Sequence, residues 1–65
     1  MNWEEIRARW QLFRGNALAQ WGRLNFADWD RAAGRRMALA GRIQERYGVA
    51  REDAENQIES WMRSL

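Results

Sequence analysis

The segment GRRMALAGRIQERYG, from Gly34 to Gly48, decides how this chain folds. Its three glycines, Gly34, Gly41 and Gly48, lie seven residues apart in a run that otherwise has helical periodicity. Glycine in a helix interior costs about 1 kcal/mol relative to alanine, so its recurrence indicates close packing or a break. We predict a bend at Gly34, a closely packed neighbouring helix at Gly41 and the end of the helix at Gly48.

The residues before this segment extend the same helical pattern. Asn25 can cap a helix that follows it, with Asp28 at the third helical position. Apolar side chains then recur at helical spacing and form one face, which consists of Phe26, Trp29, Ala33, Met37, Ala40, Ile43 and Tyr47. Arg36 projects among these apolar residues, where a guanidinium needs a partner or must reach solvent. This misfit supports a break near Gly34.

The first part of the chain predicts a helix with two distinct faces. Asn2 and Glu5 have the spacing of an N-cap and its capping-box partner. One face is aromatic and consists of Trp3, Ile6, Trp10, Phe13, Ala17, Trp21 and Leu24. The other carries small residues and consists of Ala8, Leu12, Gly15, Ala19 and Gly22. Such a helix is covered on both sides, by the rest of the chain or by another subunit, and Gly15 and Gly22 can bend or split it.

The residues after Gly48 predict a final helix. Ala50 is a poor N-cap for a helix that starts at Arg51. The apolar stripe of this helix consists of Ala54, Ile58, Trp61 and Leu65. Because the link between Tyr47 and Arg51 is short, we expect the last two helices to form a tight hairpin.

The composition limits the chain to one small domain. Sixty-five residues can bury only about 60% of the surface that their unfolded chain exposes. The chain has no cysteine, histidine or proline, so disulfides and His/Cys zinc sites are excluded and no linker is indicated. Five tryptophans at core-like spacing must supply much of the packing. We predict a single domain over residues 1–65, with no cofactor.

Charge is distributed unevenly along the chain. All eleven basic residues are arginine and nine residues are acidic, which gives a net charge of +2. Residues 31–51 carry six of the arginines and only one acid, whereas residues 52–65 carry four acids and one arginine. No apolar run approaches the roughly 18 residues of a transmembrane helix, and the acidic N-terminus is unlike a signal peptide. We therefore expect a cytoplasmic protein with no membrane partner.

The reactive side chains argue against catalysis. Ser60, Ser64 and Tyr47 carry the only hydroxyl groups, and no histidine, lysine or cysteine is present to activate them. Three glutamates of the last helix can share a face, but they lack the oxygen-rich loop of a calcium site. A solvated acidic face explains them better than a metal site does.

Four arginines form the best candidate binding surface. On a continuous helix Arg31, Arg35, Arg42 and Arg46 lie within about 60° of one another, opposite the apolar face. Such a stripe can neutralise phosphates and bind nucleic acid weakly, with strong salt dependence. Alternatively, these arginines pair with the acidic last helix or are simply solvated, and the small net charge favours this explanation.

The small-residue face of the first helix is a second candidate surface. Ala8, Leu12, Gly15 and Ala19 could contact a partner or a second copy of the chain. Packing within the chain is the favoured explanation, because a domain this small is short of core. We expect a monomer or a weak homo-oligomer.

A weak repeat of nineteen residues also runs through the sequence. Its identical pairs are Trp10/Trp29, Gly15/Gly34, Ala19/Ala38, Gly22/Gly41 and Arg23/Arg42. Two amphipathic helices with glycines at heptad spacing can produce part of this pattern by chance, so duplication stays open.

The segments LAGRIQERYG (39–48) and VAREDAENQI (49–58), followed by Trp61, are the most distinctive part of the chain. Together with the opening MNW and the Gly-Arg steps at 22–23, 34–35 and 41–42, they resemble the CsbD family of bacterial general stress-response proteins. The resemblance implies a cytoplasmic protein without catalytic residues. It also implies a small helical bundle similar to the SAM domain, with two crossed helical hairpins. The chain departs from the family by using arginine where lysine is favoured.

The residues and the resemblance together predict an all-α protein, a small bundle of three to five helices. We expect a non-enzymatic stress-response protein that acts by weak binding or in a structural, protective role. Its partner is unknown, and no catalytic or metal-binding residue is assigned. A nucleic-acid-associated module and a self-associating helical protein are the alternatives.

Overall fold

The chain folds into five α-helices and one short 3-10 helix, with no β-strand. The computed structural model describes all residues, 1–65. The helices are α1 (Trp3–Ala8), the 3-10 helix (Trp10–Phe13), α2 (Arg14–Gln20), α3 (Phe26–Ala32), α4 (Arg36–Tyr47) and α5 (Arg51–Ser64). Helix α4 packs on both α3 and α5, and α2 packs on α3. The predicted all-α bundle is confirmed, and the crossed-hairpin arrangement stays a prediction.

Three helix boundaries follow local signals in the sequence. Asn2 caps α1 by accepting a hydrogen bond from the backbone N–H of Glu5 (3.0 Å), without the reciprocal bond of the predicted capping box. Asn25 caps α3 in a complete capping box with Asp28. Gly48 ends α4 in the left-handed conformation (φ +65°), as predicted. Each of these signals lies within one turn of the boundary that it sets.

The predicted break near Gly34 separates α3 from α4. Ala33 and Gly34 both have positive φ values, 49° and 81°. The backbone N–H of Arg35 donates to the carbonyl of Ala32 (2.8 Å), which closes the turn. The indole N–H of Trp3 donates to the carbonyl of Gly34 (2.9 Å), so α1 packs against this turn.

The predicted apolar face is only partly buried. Trp29, Ala40 and Ile43 of that face lie in the core, but Phe26 and Met37 are 60% and 63% exposed. Ala32 and Leu39 lie outside the predicted face and are buried. The buried side of α3 and α4 is therefore displaced towards Ala32 and Leu39, because the neighbouring helices cover that side.

The first part of the chain is divided twice: at Arg9, a position that neither glycine marks, and after α2, in the predicted turn that contains Gly22. Arg9 leaves the helical conformation (φ −119°, ψ 40°) and the 3-10 helix follows it. Gly15 lies inside α2, and Gly22 lies in the turn after α2. The residue after the break, Trp10, packs against Trp29, so we attribute the position of the break to this long-range contact.

Trp10 and Trp29 form the centre of the core. Their rings are stacked, with centroids 3.6 Å apart and planes within 3° of parallel. The indole N–H of Trp10 donates to the backbone carbonyl of Trp29 (2.8 Å), and that of Trp29 donates to the carbonyl of Trp10 (2.9 Å). A buried indole needs a partner for its N–H, and here each tryptophan satisfies the other.

Two further tryptophans complete the core, as predicted. The indole N–H of Trp21 donates to Gln57 Oε1 (3.0 Å), and that of Trp61 donates to Asn16 Oδ1 (2.8 Å). Trp3 is only half-buried and packs edge-on against the stacked pair at the rim of the core. Both side-chain bonds join α5 to another part of the chain, so polar contacts as well as apolar ones hold this helix.

The nineteen-residue repeat in the sequence is not a repeat of structure. Gly15 is helical and exposed, whereas its counterpart Gly34 is buried with a positive φ. Gly22 lies in a turn, whereas Gly41 lies within α4. Of the five identical pairs, only Ala19/Ala38 has the same α-helical conformation at both positions, so the repeat does not give two equivalent substructures.

Gly41 does not contact a neighbouring helix closely, so the prediction for this glycine is wrong. A β-carbon added at Gly41 would meet no other side chain or segment within 4 Å. At Gly34 the same atom would lie 2.8 Å from Cγ of Arg7. Of the two, only Gly34 provides space for another part of the chain.

Alanine at these two glycines should have opposite effects on stability. Gly41→Ala is expected to raise the free energy of unfolding by about 0.5–1 kcal/mol, because alanine is the better residue in an open helix interior. Gly34→Ala is expected to lower it by about 1–2 kcal/mol, because the backbone there has a positive φ and the new methyl group meets Arg7. Urea denaturation followed by circular dichroism measures both changes, and a shift of the same sign in both variants would contradict this account.

Candidate functional site

Asp28 is the most buried charged group of the protein, with 2% of its surface exposed. Its carboxylate accepts hydrogen bonds from the backbone N–H of Asn25 (3.1 Å) and from Nε and Nη2 of Arg46 on α4 (3.1 Å each). Burial alone raises the pKa of Asp28, but the bonds from Arg46 and Asn25 outweigh burial and hold the pKa below the ordinary value of 3.8. The ionised carboxylate therefore joins α3 to α4.

A second ion pair joins α4 to α5. Nη2 of Arg36 lies 2.8 Å from Oε2 of Glu59, and the guanidinium lies 6.0 Å from the ring centroid of Trp3. The hydrogen bond from Arg36 lowers the pKa of Glu59, and the charge of Arg63 adds to this effect. Arg36 projects among apolar residues in the sequence and needs a partner for its charge, and this partner is Glu59. Both side chains are partly exposed, so solvent weakens the pair.

The four arginines of the predicted stripe do not form one helix face. Arg31 lies in α3, Arg35 is the N-cap of α4, and Arg42 and Arg46 lie further along α4. The projection that aligned them assumes a continuous helix, and the break at Gly34 makes it wrong. The structure divides them into two pairs, because Arg31 and Arg35 meet at the turn and Arg42 and Arg46 lie one turn apart on α4.

The same four arginines also have different partners. Arg42 is paired with Glu45 (3.3 Å), and Arg46 is held by the buried carboxylate of α3. Arg35 donates to two backbone carbonyls in the last turn of α3 (2.9 and 3.2 Å). Arg31 and Arg35 have no carboxylate within ion-pair distance. Two members of the stripe are thus neutralised, and neither pairs with the last helix.

Arginines from separate helices meet around the turn between α3 and α4. The side chain of Arg7, from α1, lies against Gly34. The next residue, Arg35, donates from its guanidinium to the carbonyl of Arg31 (2.9 Å). Trp3, which also bonds to Gly34, lies next to this group.

The positive surface continues from Trp3 towards α5. The guanidinium of Arg36 lies over Trp3 and bonds to Glu59. Arg63 follows Glu59 by four residues on α5, so both side chains lie on the same side of that helix. We call this whole surface the basic ridge, and it consists of Arg7, Arg31, Arg35, Arg36 and Arg63.

Two carboxylates lie within ion-pair distance of the arginines of the basic ridge. Glu4 lies 3.8 Å from Arg7 and is 80% exposed, and Glu59 pairs with Arg36. The rest of the chain then holds six arginines and seven acidic residues. Sequence reasoning missed Arg7 and Arg63 because they lie far along the chain from the stripe. The misfit of Arg36 was the one available signal.

The small-residue face of the first segment is exposed, so its predicted packing within the chain is wrong. Ala8, Leu12, Gly15 and Ala19 are all exposed, and Leu12 is 77% exposed. The break at Arg9 also places these residues on three different elements. Self-association through them stays a prediction.

The hydroxyl groups hold local structure or lie at the surface. The hydroxyl of Tyr47 accepts from the backbone N–H of Arg23 (3.1 Å), and that of Ser64 donates to the carbonyl of Trp61 (2.7 Å). Ser60 is exposed beside a shallow groove of about 410 Å³, lined also by Gln20, Val49, Asp53, Asn56 and Gln57. No three carboxylates are grouped as a metal ion would require. None of the helices has the length and apolar character needed to span a membrane.

The fold and these contacts define a small helical-bundle protein whose tryptophans and ion pairs join its helices. It is 41% identical over 61 residues to the UPF0337 protein YjbJ of Escherichia coli O6:H1. The aligned residues are 94% of this chain and 88% of the relative. It is 43% identical, with the same coverage, to the UPF0337 protein ECA0631 of Pectobacterium atrosepticum. It is 37% identical over 65 residues to the UPF0337 protein RPA4217 of Rhodopseudomonas palustris, covering 100% of this chain and 98% of the relative.

The chain therefore belongs to the UPF0337 family. No family model matches the chain, and no solved structure matches it. The names of the three relatives give a family and no activity.

Proposed function

We propose that this protein is a CsbD-like general stress-response protein of the cytoplasm that catalyses no reaction and acts by weak binding or in a structural, protective role. One observation carries the non-enzymatic part: the hydroxyl groups of Tyr47, Ser60 and Ser64 have no histidine, lysine or cysteine in the chain to activate them. The hydroxyls of Tyr47 and Ser64 instead make hydrogen bonds to the backbone. The stress role is supported by the resemblance of residues 39–58 to the CsbD family.

The displaced pKa values support the same proposal. A carboxyl group that acts as a general acid or base needs a pKa raised towards neutral pH. In this protein the pKa values of Asp28 and Glu59 are both lowered, because arginine hydrogen bonds stabilise the ionised forms. Both carboxylates therefore suit ion pairs between helices better than proton transfer.

The proposal can be tested in the bacterium that encodes the chain. We expect the protein level, measured by quantitative mass spectrometry, to rise in stationary phase and after osmotic shock, and deletion of the gene to lower survival. Expression of the wild-type chain should restore survival, and so should a variant with Ser60→Ala, Ser64→Ala and Tyr47→Phe. A level that does not change under stress would contradict the stress role. Loss of rescue by the folded triple variant would contradict the non-enzymatic role.

Self-association is a second candidate function, and the exposure of Leu12 is the observation that favours it. A leucine that is 77% exposed beside other small exposed residues gives an apolar surface for a second copy of the chain. We expect light scattering at high protein concentration to report a weak dimer, and Leu12→Ser to shift it towards monomer. A wild-type chain that stays monomeric throughout the concentration series would exclude this candidate.

A further inference from the structure

We infer that the basic ridge is a nucleic-acid-binding surface that contacts backbone phosphates without reading base sequence. The ridge is assembled by the fold from residues of α1, α3, α4 and α5 and differs from the arginine stripe that a continuous helix would give. This inference goes beyond the proposed function, and it holds whether or not stress induces the protein.

The first argument is the balance of charge. The basic ridge carries five arginines against two carboxylates, whereas the rest of the chain carries six arginines against seven acidic residues. The protein thus has one positive side although its net charge is only +2. A polyanion is attracted to such a side, because local charge rather than net charge sets the potential near the surface.

The second argument is that most of these guanidinium groups are free to bind. Arg31 and Arg63 are exposed and have no carboxylate within ion-pair distance. Arg7 faces only Glu4, and their separation of 3.8 Å at an exposed position leaves the pair weak. Glu55, one turn before Glu59 on α5, is directed to Arg51 (3.9 Å). No strong ion pair must therefore break before Arg7, Arg31 or Arg63 contacts a phosphate.

The third argument concerns the chemistry of the ligand. Arginine binds phosphate oxygens through two parallel N–H groups, and nucleic acid presents phosphates at a regular spacing that several arginines can contact together. Trp3 lies between these arginines and is only half-buried, so part of its ring is accessible beside the cations. Cations next to a partly accessible aromatic ring suit a surface that binds single strands without sequence preference.

The test compares two double variants that remove the same amount of charge. Arg31→Gln with Arg63→Gln removes two arginines of the basic ridge. Arg42→Gln with Arg51→Gln removes two arginines outside it, of which Arg42 is half-buried and Arg51 is exposed. Binding of fluorescent single-stranded and duplex DNA is followed by anisotropy at several salt concentrations. We expect the ridge variant to lose about tenfold or more in affinity at low salt, with a salt slope shallower by about 2. The control variant should lose about twofold or less.

Three outcomes would overturn the inference. They are no binding of either DNA at low salt, equal losses in the two double variants, and binding to vesicles of anionic lipid without binding to DNA. Circular dichroism of each variant establishes that it is folded. Because Arg31 and Arg63 donate no hydrogen bond to another part of the chain, their replacement is expected to leave the fold intact.

Discussion

Replacing Trp29 with alanine is expected to lower the free energy of unfolding by about 3–5 kcal/mol. Trp29 is fully buried, stacks on Trp10 and exchanges two hydrogen bonds with it. Truncation of a buried tryptophan costs about 3–5 kcal/mol. At about 0.05–0.15 kcal/mol per residue, a domain of this size has roughly 3–10 kcal/mol of total stability. A single substitution at this position can therefore remove most of it.

Urea denaturation followed by far-UV circular dichroism measures this loss against two controls. Trp29→Phe keeps an aromatic ring in the stack but removes the N–H group, so it should cost about 1–3 kcal/mol. Leu12→Ala changes a side chain that is 77% exposed and should move the free energy of unfolding by about 0.5 kcal/mol or less. A Trp29→Ala protein with a transition midpoint close to that of the wild type would show that the stacked pair is not the centre of the core.

Replacing Asp28 with alanine should lower the free energy of unfolding by about 1.5–3 kcal/mol. The substitution removes the carboxylate half of the capping box of α3, and capping interactions contribute about 0.5–2 kcal/mol. It also removes the two hydrogen bonds from Arg46. The side chain of Arg46 is 40% exposed, so water can replace part of these hydrogen bonds. Their loss is therefore expected to lower the free energy of unfolding by only about 1 kcal/mol.

The same carboxylate should make the stability of the protein depend on pH. The pKa of Asp28 is lower in the folded protein than its ordinary value of 3.8, so the folded state binds fewer protons than the unfolded state. This contribution is complete above the unfolded-state pKa and is lost as the pH falls through the folded-state pKa. The lowered pKa of Glu59 acts in the same direction.

Urea denaturation across the acidic range tests the pH dependence. The free energy of unfolding of the wild type should fall as the pH drops below about 4, and that of Asp28→Asn should fall less. Glu59→Gln is the matched control, because its ion pair lies nearer the surface and should leave most of the dependence in place. Parallel curves for the wild type and Asp28→Asn would contradict this role of Asp28.

The parts of the fold that could be predicted depend on local chemistry. Asn25 and Gly48 act within one turn of the helix ends that they set, so their residue types and positions suffice. The break at Gly34 could also be predicted, because the periodicity places Arg36 among apolar side chains unless the helix ends first. Helical spacing likewise identifies the tryptophans of the core.

The parts that could not be predicted depend on contacts between distant residues. The break at Arg9 has no glycine or proline to mark it, and the residue that follows it contacts Trp29, which lies far along the chain. The side of a helix that is covered depends on which neighbouring helices pack against it. Met37 and Leu12 are therefore exposed, although their spacing indicates packed faces.

The candidate site follows the same rule. The Arg31 and Arg35 part of the stripe survives, because these residues flank the turn between α3 and α4. Arg42 pairs with Glu45, which lies three residues further along the same helix, so helical spacing could have predicted this part of the outcome. Arg7 and Arg63 join the surface only because α1 and α5 pack near this turn, which no local pattern encodes.

NMR can test whether nucleic acid contacts the basic ridge and leaves the core unaffected. In a proton–nitrogen correlation spectrum of labelled protein, a short single-stranded DNA is added at low salt. The indole N–H of Trp3 and the amide of Gly34 are expected to shift, because both lie in the ridge. The indole N–H groups of Trp10 and Trp29, which are buried in the reciprocal pair, are expected to stay in place. Shifts centred on Arg42 and the N-terminal half of α5, or no shifts at all, would contradict this account.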